Sequence, residues 1–210
     1  PETQALMNLV RQINPVFDIS YHSYSELVLY PYGCDGQYVA TREVVEGVGH
    51  EMSAVLPSDG GSGNYTPGTP WEILYAVDGG DIDWMYHEAQ VIPYVIEVSS
   101  SNQGFQPSYS QWRNRTVQKL RGAWQLLLNR LDGSGVRGMI LDAQGAPVAN
   151  ATITVVKGNQ TNTYRGHADG SYHIVLMPGS YELTFQAEGR DPQEHNLEVG
   201  TDREQLDITL

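Results

Sequence analysis

The run Val91-Ile92-Pro93-Tyr94-Val95-Ile96-Glu97-Val98 decides the fold of this chain. A strand with one wet face alternates apolar and polar residues, whereas a run without alternation is buried on both faces, as in a sheet covered by helices on either side. Working outward, Ile82 to His87 reads as a short helix ahead of the run. A polar loop over 99–108 comes after it, and then a long helix over 109–131 with Val117, Leu120, Trp124, Leu127 and Leu131 three and four apart. Further upstream, 57–70 is so rich in Gly, Pro, Ser and Thr that a surface loop is expected. Residues 38–56 read as a helix with Val44, Val45, Val48, Met52 and Val55 inward, although Gly47 and Gly49 weaken it. Leu27 to Tyr30 is a short apolar run. Val16 to His22 alternates, with Phe17, Ile19 and Tyr21 on one face and Asp18, Ser20 and His22 on the other, a strand pattern. Residues 1–14 read as a helix whose Leu6, Leu9, Val10 and Ile13 share a side, stopped by Pro15.

After Asp132-Gly133-Ser134-Gly135, which reads as a linker, the pattern changes to short β-branched runs separated by turn signals such as Asp142-Ala143-Gln144-Gly145, Asp169-Gly170 and Pro178-Gly179. Such spacing predicts a small all-β sandwich. The expectation is an α/β domain over 1–132 and a β-sandwich over 133–210.

Composition bounds the function. With 210 residues, 40% of them hydrophobic, the chain can bury an ordinary core plus a small satellite, and disorder is excluded. A net charge of −13, spread through the chain, repels phosphate backbones, so nucleic acid is not an expected partner. No run reaches the roughly 18 apolar residues of a membrane helix, and no membrane partner is expected. The N-terminus lacks a signal-peptide layout. The single cysteine, Cys34, excludes an intrachain disulfide and a thiolate-clustered zinc site.

Two residues stand out chemically. Glu97 is a carboxylate near the end of an otherwise apolar central strand, costly to bury without a partner or a task; the alternative is an edge residue whose head reaches solvent. His22 sits at the C-terminal end of a predicted strand, where open α/β sheets carry their sites, though a lone histidine is more often structural.

With their neighbours these residues carry a family resemblance. His22-Ser23-Tyr24-Ser25-Glu26-Leu27-Val28-Leu29-Tyr30-Pro31-Tyr32-Gly33 is similar, nearly residue for residue, to the segment bearing the last zinc-binding histidine of zinc metallocarboxypeptidases of the carboxypeptidase A/B type. Leu74 to Tyr86, with Gly79-Gly80 and Asp83-Trp84, resembles that family's mobile tyrosine segment, and the strand ending in Glu97 resembles the one bearing its catalytic glutamate. The resemblance covers about residues 1–131; the β-domain resembles, more weakly, the transthyretin-like module appended to some members. It implies a partial mixed-sheet carboxypeptidase domain with helices on both faces. His22 would be a zinc ligand, Glu97 the general acid/base and Tyr75 the phenol that clasps substrate. Ser23 and Tyr24 would shape the subsite beside the metal, and Ile82 would lie at the floor of the side-chain pocket.

The resemblance further implies a zinc-dependent exopeptidase acting on peptide or protein C-termini and releasing an apolar or aromatic residue, a specificity that Asp78 and Asp81 weaken. One Zn2+ per complete catalytic domain and a secreted or periplasmic location are implied as well. The family's His-x-x-Glu zinc ligands and the groups that hold the substrate carboxylate lie upstream of the matching segment, so the chain is expected to act with a missing N-terminal part of the catalytic domain. The competing expectation is a non-catalytic peptide- or partner-binding module. Two lures are set aside. His195-Asn196-Leu197-Glu198 lies on a predicted strand, where residues three apart face opposite sides. Asp78, Asp81 and Asp83 lack the spacing and distal Glu of a calcium loop.

Overall fold

A computed structural model describes residues 1–34, 36–59 and 62–210. The chain forms two compact units, Pro1–Asn129 and Arg130–Leu210.

The first unit runs α1 (Glu2–Ile13), β1 (Phe17–Ser23), β2 (Leu27–Leu29), α2 (Arg42–Ala54), β3 (Thr66–Gly68), α3 (Pro70–Ile73), α4 (Asp81–Ala89), β4 (Ile92–Val98) and α5 (Tyr109–Arg130). Its mixed sheet has the order β1-β4-β2-β3, with β4 parallel to β1 and antiparallel to β2. The continuous apolar run is therefore β4, buried on both faces along Ile92–Glu97. Pro93 is tolerated because β2 pairs only with Val95 to Glu97, leaving Pro93 where β4 has β1 as its ladder partner and no neighbour from β2. On one face Tyr94 is fully buried and its hydroxyl donates to the Val45 carbonyl of α2. On the other, Leu27, Leu29 and Val95 pack with Ile82 of α4 and with Ile73 and Leu74. The fold class is thus α/β with helices on both faces of a mixed sheet.

Local corrections have physical causes. The helix expected over 38–56 begins at Arg42, and Val55 caps it with 40% of its surface exposed. Gly49, which weakens the helix by propensity, belongs there: a Cβ would meet the Tyr30 ring at 2.8 Å, so its absence lets α2 lie flush on the sheet. In α1 only Val10 is buried, because the helix packs through its C-terminal turn against Met85 and Val91; Leu6, Leu9 and Ile13 remain exposed. In α5 the buried residues are Ala123 and Leu127, while Val117 and Trp124 are exposed. The segment expected as a surface loop over 57–70 ends in an edge strand, β3, with Tyr65 and Thr69 buried. Gly60 and Gly61 of that segment lie outside the described residues.

The second unit is a β-sandwich. One sheet has the order β10-β9-β6-β7, from β6 (Thr152–Lys157), β7 (Gln160–Arg165), β9 (Gly179–Gln186) and β10 (Gln193–Val199). In the other, β5 (Gly135–Leu141) pairs with β8 (Ser171–Val175), β11 (Arg203–Gln205) and β12 (Ile208–Thr209). Val136, Ile140, Ile153, Ile174, Leu183 and Phe185 form its core. His195 and Glu198 fall on opposite faces of β10, His195 against the Phe185 ring and Glu198 exposed, so they share no metal.

Candidate active site

Strand alternation and register build the site. In the β1–β4 ladder His22 lies opposite Glu97, Ser20 opposite Val95 and Asp18 opposite Pro93. Residues opposite one another share a face, so His22, Ser20 and Asp18 lie on the face of Glu97 and Val95, the face that α4 covers through Ile82. His22 is exposed at the strand end, whereas Glu97 is buried at 9% exposure. Two buried oxygens on this face, Glu97 Oε2 and Ser20 Oγ, have no hydrogen-bond partner among the described residues.

Burial raises the Glu97 carboxyl above its ordinary value, partly offset by attraction to His22. Asp18 is raised too, first by burial and then by repulsion from Asp81. Just beyond Glu97, Ser99 is buried and held at φ +71°, in the left-handed region that a serine rarely adopts; outliers of this kind gather at functional sites.

The remaining predicted residues differ in their settings. The Ser23 hydroxyl donates to the Phe105 carbonyl at 3.0 Å, tying the end of β1 to the loop after β4. Tyr24 is exposed and follows Ser23 through a cis peptide bond. Tyr75 is 65% exposed on the segment between α3 and α4. Ile82 is buried at 4% in an apolar cluster with Leu27, Leu29 and Val95. Asp78 and Asp81 are exposed, and Asp81 accepts a bond from the Ile82 amide.

Asp18 and Ser20, which share the face of His22, were legible as such, since the alternation that places them there is local, but they were not singled out as site residues. Phe105, 66% exposed beside Ser23, had no signal, because the hydrogen bond that brings it there spans 82 residues of sequence.

His22 offers one imidazole, and among the described residues no three His, Cys, Asp or Glu side chains converge to hold a metal ion. His22 fits zinc as one ligand of a larger set, with Glu97 as the neighbouring carboxylate that has one oxygen without a hydrogen-bond partner among the described residues.

Residues 1–121 match the zinc carboxypeptidase family, and residues 135–210 match the carboxypeptidase regulatory-like domain. Carboxypeptidase D of Mus musculus is 29% identical over 236 residues, covering all of this chain and 16% of that protein. Carboxypeptidase Z of Gallus gallus is 28% identical over 213 residues, covering 90% of this chain and 31% of the relative. The chain thus spans about a sixth to a third of the length of these two relatives. Among solved structures, carboxypeptidase A from Helicoverpa armigera aligns with a TM-score of 0.48 and 18% identity over 61% of this chain and 32% of that one.

Proposed function

This chain belongs to the zinc carboxypeptidase family, and on that premise we propose that it forms part of a peptidase that releases the C-terminal residue of peptides. Glu97 is its general acid/base and His22 one of its zinc ligands. The observation that carries the proposal is the ladder pair: an exposed imidazole directly across from a buried carboxylate with one oxygen unpartnered among the described residues.

Zinc, when bound, supplies a Lewis acid for the scissile carbonyl and for water. Glu97 takes the proton of the attacking water and delivers it to the nitrogen of the departing amino acid. Its raised carboxyl brings donor and acceptor forms closer to neutral pH, which suits a group that must act first as base and then as acid. Tyr75, exposed on its segment, closes over the substrate. Ser23 and Tyr24 border the position beside the metal, with the Ser23 hydroxyl holding the Phe105 backbone. The apolar setting of Ile82 supports an apolar or aromatic C-terminal residue, since a Lys or Arg head there would be a desolvated, unpaired cation. The partners are peptide or protein C-termini and a further part of the catalytic domain that contributes the other zinc ligands. The secreted or periplasmic location rests on the resemblance alone. Among the described residues no helix is long and apolar enough to cross a membrane.

The test is Glu97→Gln in a form of the enzyme carrying all its zinc ligands. The amide keeps the shape but takes no proton, so turnover should fall by about 100-fold or more while zinc and peptide binding persist. Near wild-type turnover would remove Glu97 from the mechanism, and peptide binding without turnover in the unmodified enzyme would favour the binding-module alternative. Paired substrates ending in Phe, Leu, Lys and Arg read the specificity; a preference for the basic pair would overturn the role of Ile82.

A further inference from the structure

We propose that Asp83 is a positioning residue whose carboxylate latches the Tyr75-bearing segment to Gly33, in the turn that follows β2; the proposal rests on the carboxypeptidase reading above.

Asp83 sits in the first turn of α4, where a carboxylate is favoured by the helix dipole. An acid at this position commonly bonds back to its own helix. Here it reaches across 50 residues, and the Gly33 amide donates to Asp83 Oδ1 at 2.8 Å. Gly33 also accepts, through its carbonyl, the Val77 amide at 2.9 Å. One residue of the turn therefore grips the segment twice, at Val77 and at Asp83. The fit is close toward both partners: a Cβ on Gly33 would lie 2.6 Å from the Val77 carbonyl oxygen and 3.4 Å from Asp83 Oδ2. Burial, and then repulsion from Asp81 and Asp78, push the Asp83 carboxyl up, and the Gly33 amide opposes them by donating to its charged form.

The other end of the segment is fixed independently. The Leu74 amide donates to the Pro70 carbonyl at 2.8 Å, and the Leu74 side chain packs on the Leu27, Leu29, Val95 and Ile82 cluster. Between these anchors lie two residues, Tyr75 and Ala76, both exposed. The phenol swings on a short bridge whose second abutment is Val77, and Asp83 holds Gly33 in place to receive it. Losing the carboxylate removes one of the two grips and leaves the Val77 abutment weaker, so that more of the ordering of the phenol falls to the substrate.

Two readouts test this. In the 210-residue chain, hydrogen exchange should accelerate by about tenfold or more at the Val77 amide in Asp83→Ala, because a charge-assisted bond next to it is gone. Asp83→Asn, which keeps an oxygen acceptor, should stay within about threefold of the parent. Amides of β4 should be unaffected. Unchanged exchange at Val77, or uniform acceleration across β4 and Val77 alike, overturns the latch, the second because it means that Asp83 stabilises the whole unit without positioning this segment. In a form of the enzyme with all its zinc ligands, Asp83→Ala should raise KM for a peptide by about tenfold with kcat within about threefold, and most of that penalty should vanish in a Tyr75→Phe background. A penalty that persists in full without the Tyr75 hydroxyl refutes the link to the phenol. If no peptidase activity exists at all, the carboxypeptidase reading fails, and the exchange data still decide whether Asp83 is a latch.

Discussion

Gly33→Ala sets two effects of opposite sign against each other. Gly33 does not occupy the left-handed region, so alanine should adopt its backbone conformation and, by narrowing the unfolded ensemble, stabilise the chain by about 0.4–1 kcal/mol. Against this stands the space. The new Cβ would lie 2.6 Å from the Val77 carbonyl oxygen, a distance at which backbone must move, and also 3.4 Å from Val77 Cβ and Asp83 Oδ2. Val77 cannot simply retreat, because its own amide is bonded to the Gly33 carbonyl at 2.9 Å. Overpacking of this kind costs about 1–3 kcal/mol, and stretching either hydrogen bond beyond use adds about 1 kcal/mol. The steric effect wins, with a net loss of about 1–3 kcal/mol. At about 2–4 °C per kcal/mol for a chain of this size, Tm should fall by about 2–12 °C. Urea unfolding followed by tryptophan fluorescence is a clean assay, because Trp71, Trp84, Trp112 and Trp124 all belong to the first unit. A Gly33→Ala chain as stable as the parent, or more stable, would refute the close approach of Val77 and with it the double grip on the tyrosine segment.

Phe185→Ala should destabilise the sandwich by about 3–5 kcal/mol, since the ring is fully buried and stacks edge-on with Tyr172 at 5.3 Å; amide exchange in β6 and β9 reads it, and a loss under about 1 kcal/mol would be inconsistent with this core. His173 is held down at about 4 from the ordinary 6.5, first by burial and then by the Arg203 and Arg137 guanidinium groups. The unfolded chain therefore takes up a proton that the folded one refuses, and the stability present above pH 6.5 is lost as pH falls toward 4. His173→Phe should flatten that dependence in unfolding curves taken from neutral pH down to about pH 4.5. For the metal, chelator competition on the 210-residue chain should find no tight stoichiometric zinc site, because a single imidazole cannot stand in for a three-ligand set; tight uptake would count against His22 acting as one ligand among several.

How far the sequence reaches depends on whether a contact leaves a local trace. Burial of β4 on both faces removes alternation from its run of apolar residues, and β1 keeps an alternating sequence even though its polar face lies toward α4, so both strands and the shared face of Asp18, Ser20 and His22 were readable. Thr66-Pro67-Gly68 was not, because β3 is a three-residue edge strand, and edges accept the Pro and Gly that elsewhere mark loops. The apolar stripes of α1 and α5 were seen, but a stripe says what a helix can bury and not how much of it is covered, hence the exposed Leu9, Ile13, Val117 and Trp124. At the site, Glu97 declared itself by being out of place in its strand. Asp83 and Phe105 act through bonds that cross 50 and 82 residues, and nothing in their neighbourhoods announces such a partner.

The pairing of His22 with Glu97 across adjacent strands has a consequence for how the site tolerates change. Two rungs of one hydrogen-bonded ladder can only move relative to each other in whole-residue steps. A slip of one position in β1 would bring Tyr21 or Ser23 opposite Glu97 and turn His22 to the far side of the sheet. Changes of length in the loops between Tyr32 and Gln90 leave the count along that ladder untouched, whereas a single-residue deletion between Phe17 and Tyr21 turns the residues on one side of it onto the wrong face. The pair is therefore indexed by the backbone, robust to variation in length of the intervening chain and intolerant of any miscount within the strand itself.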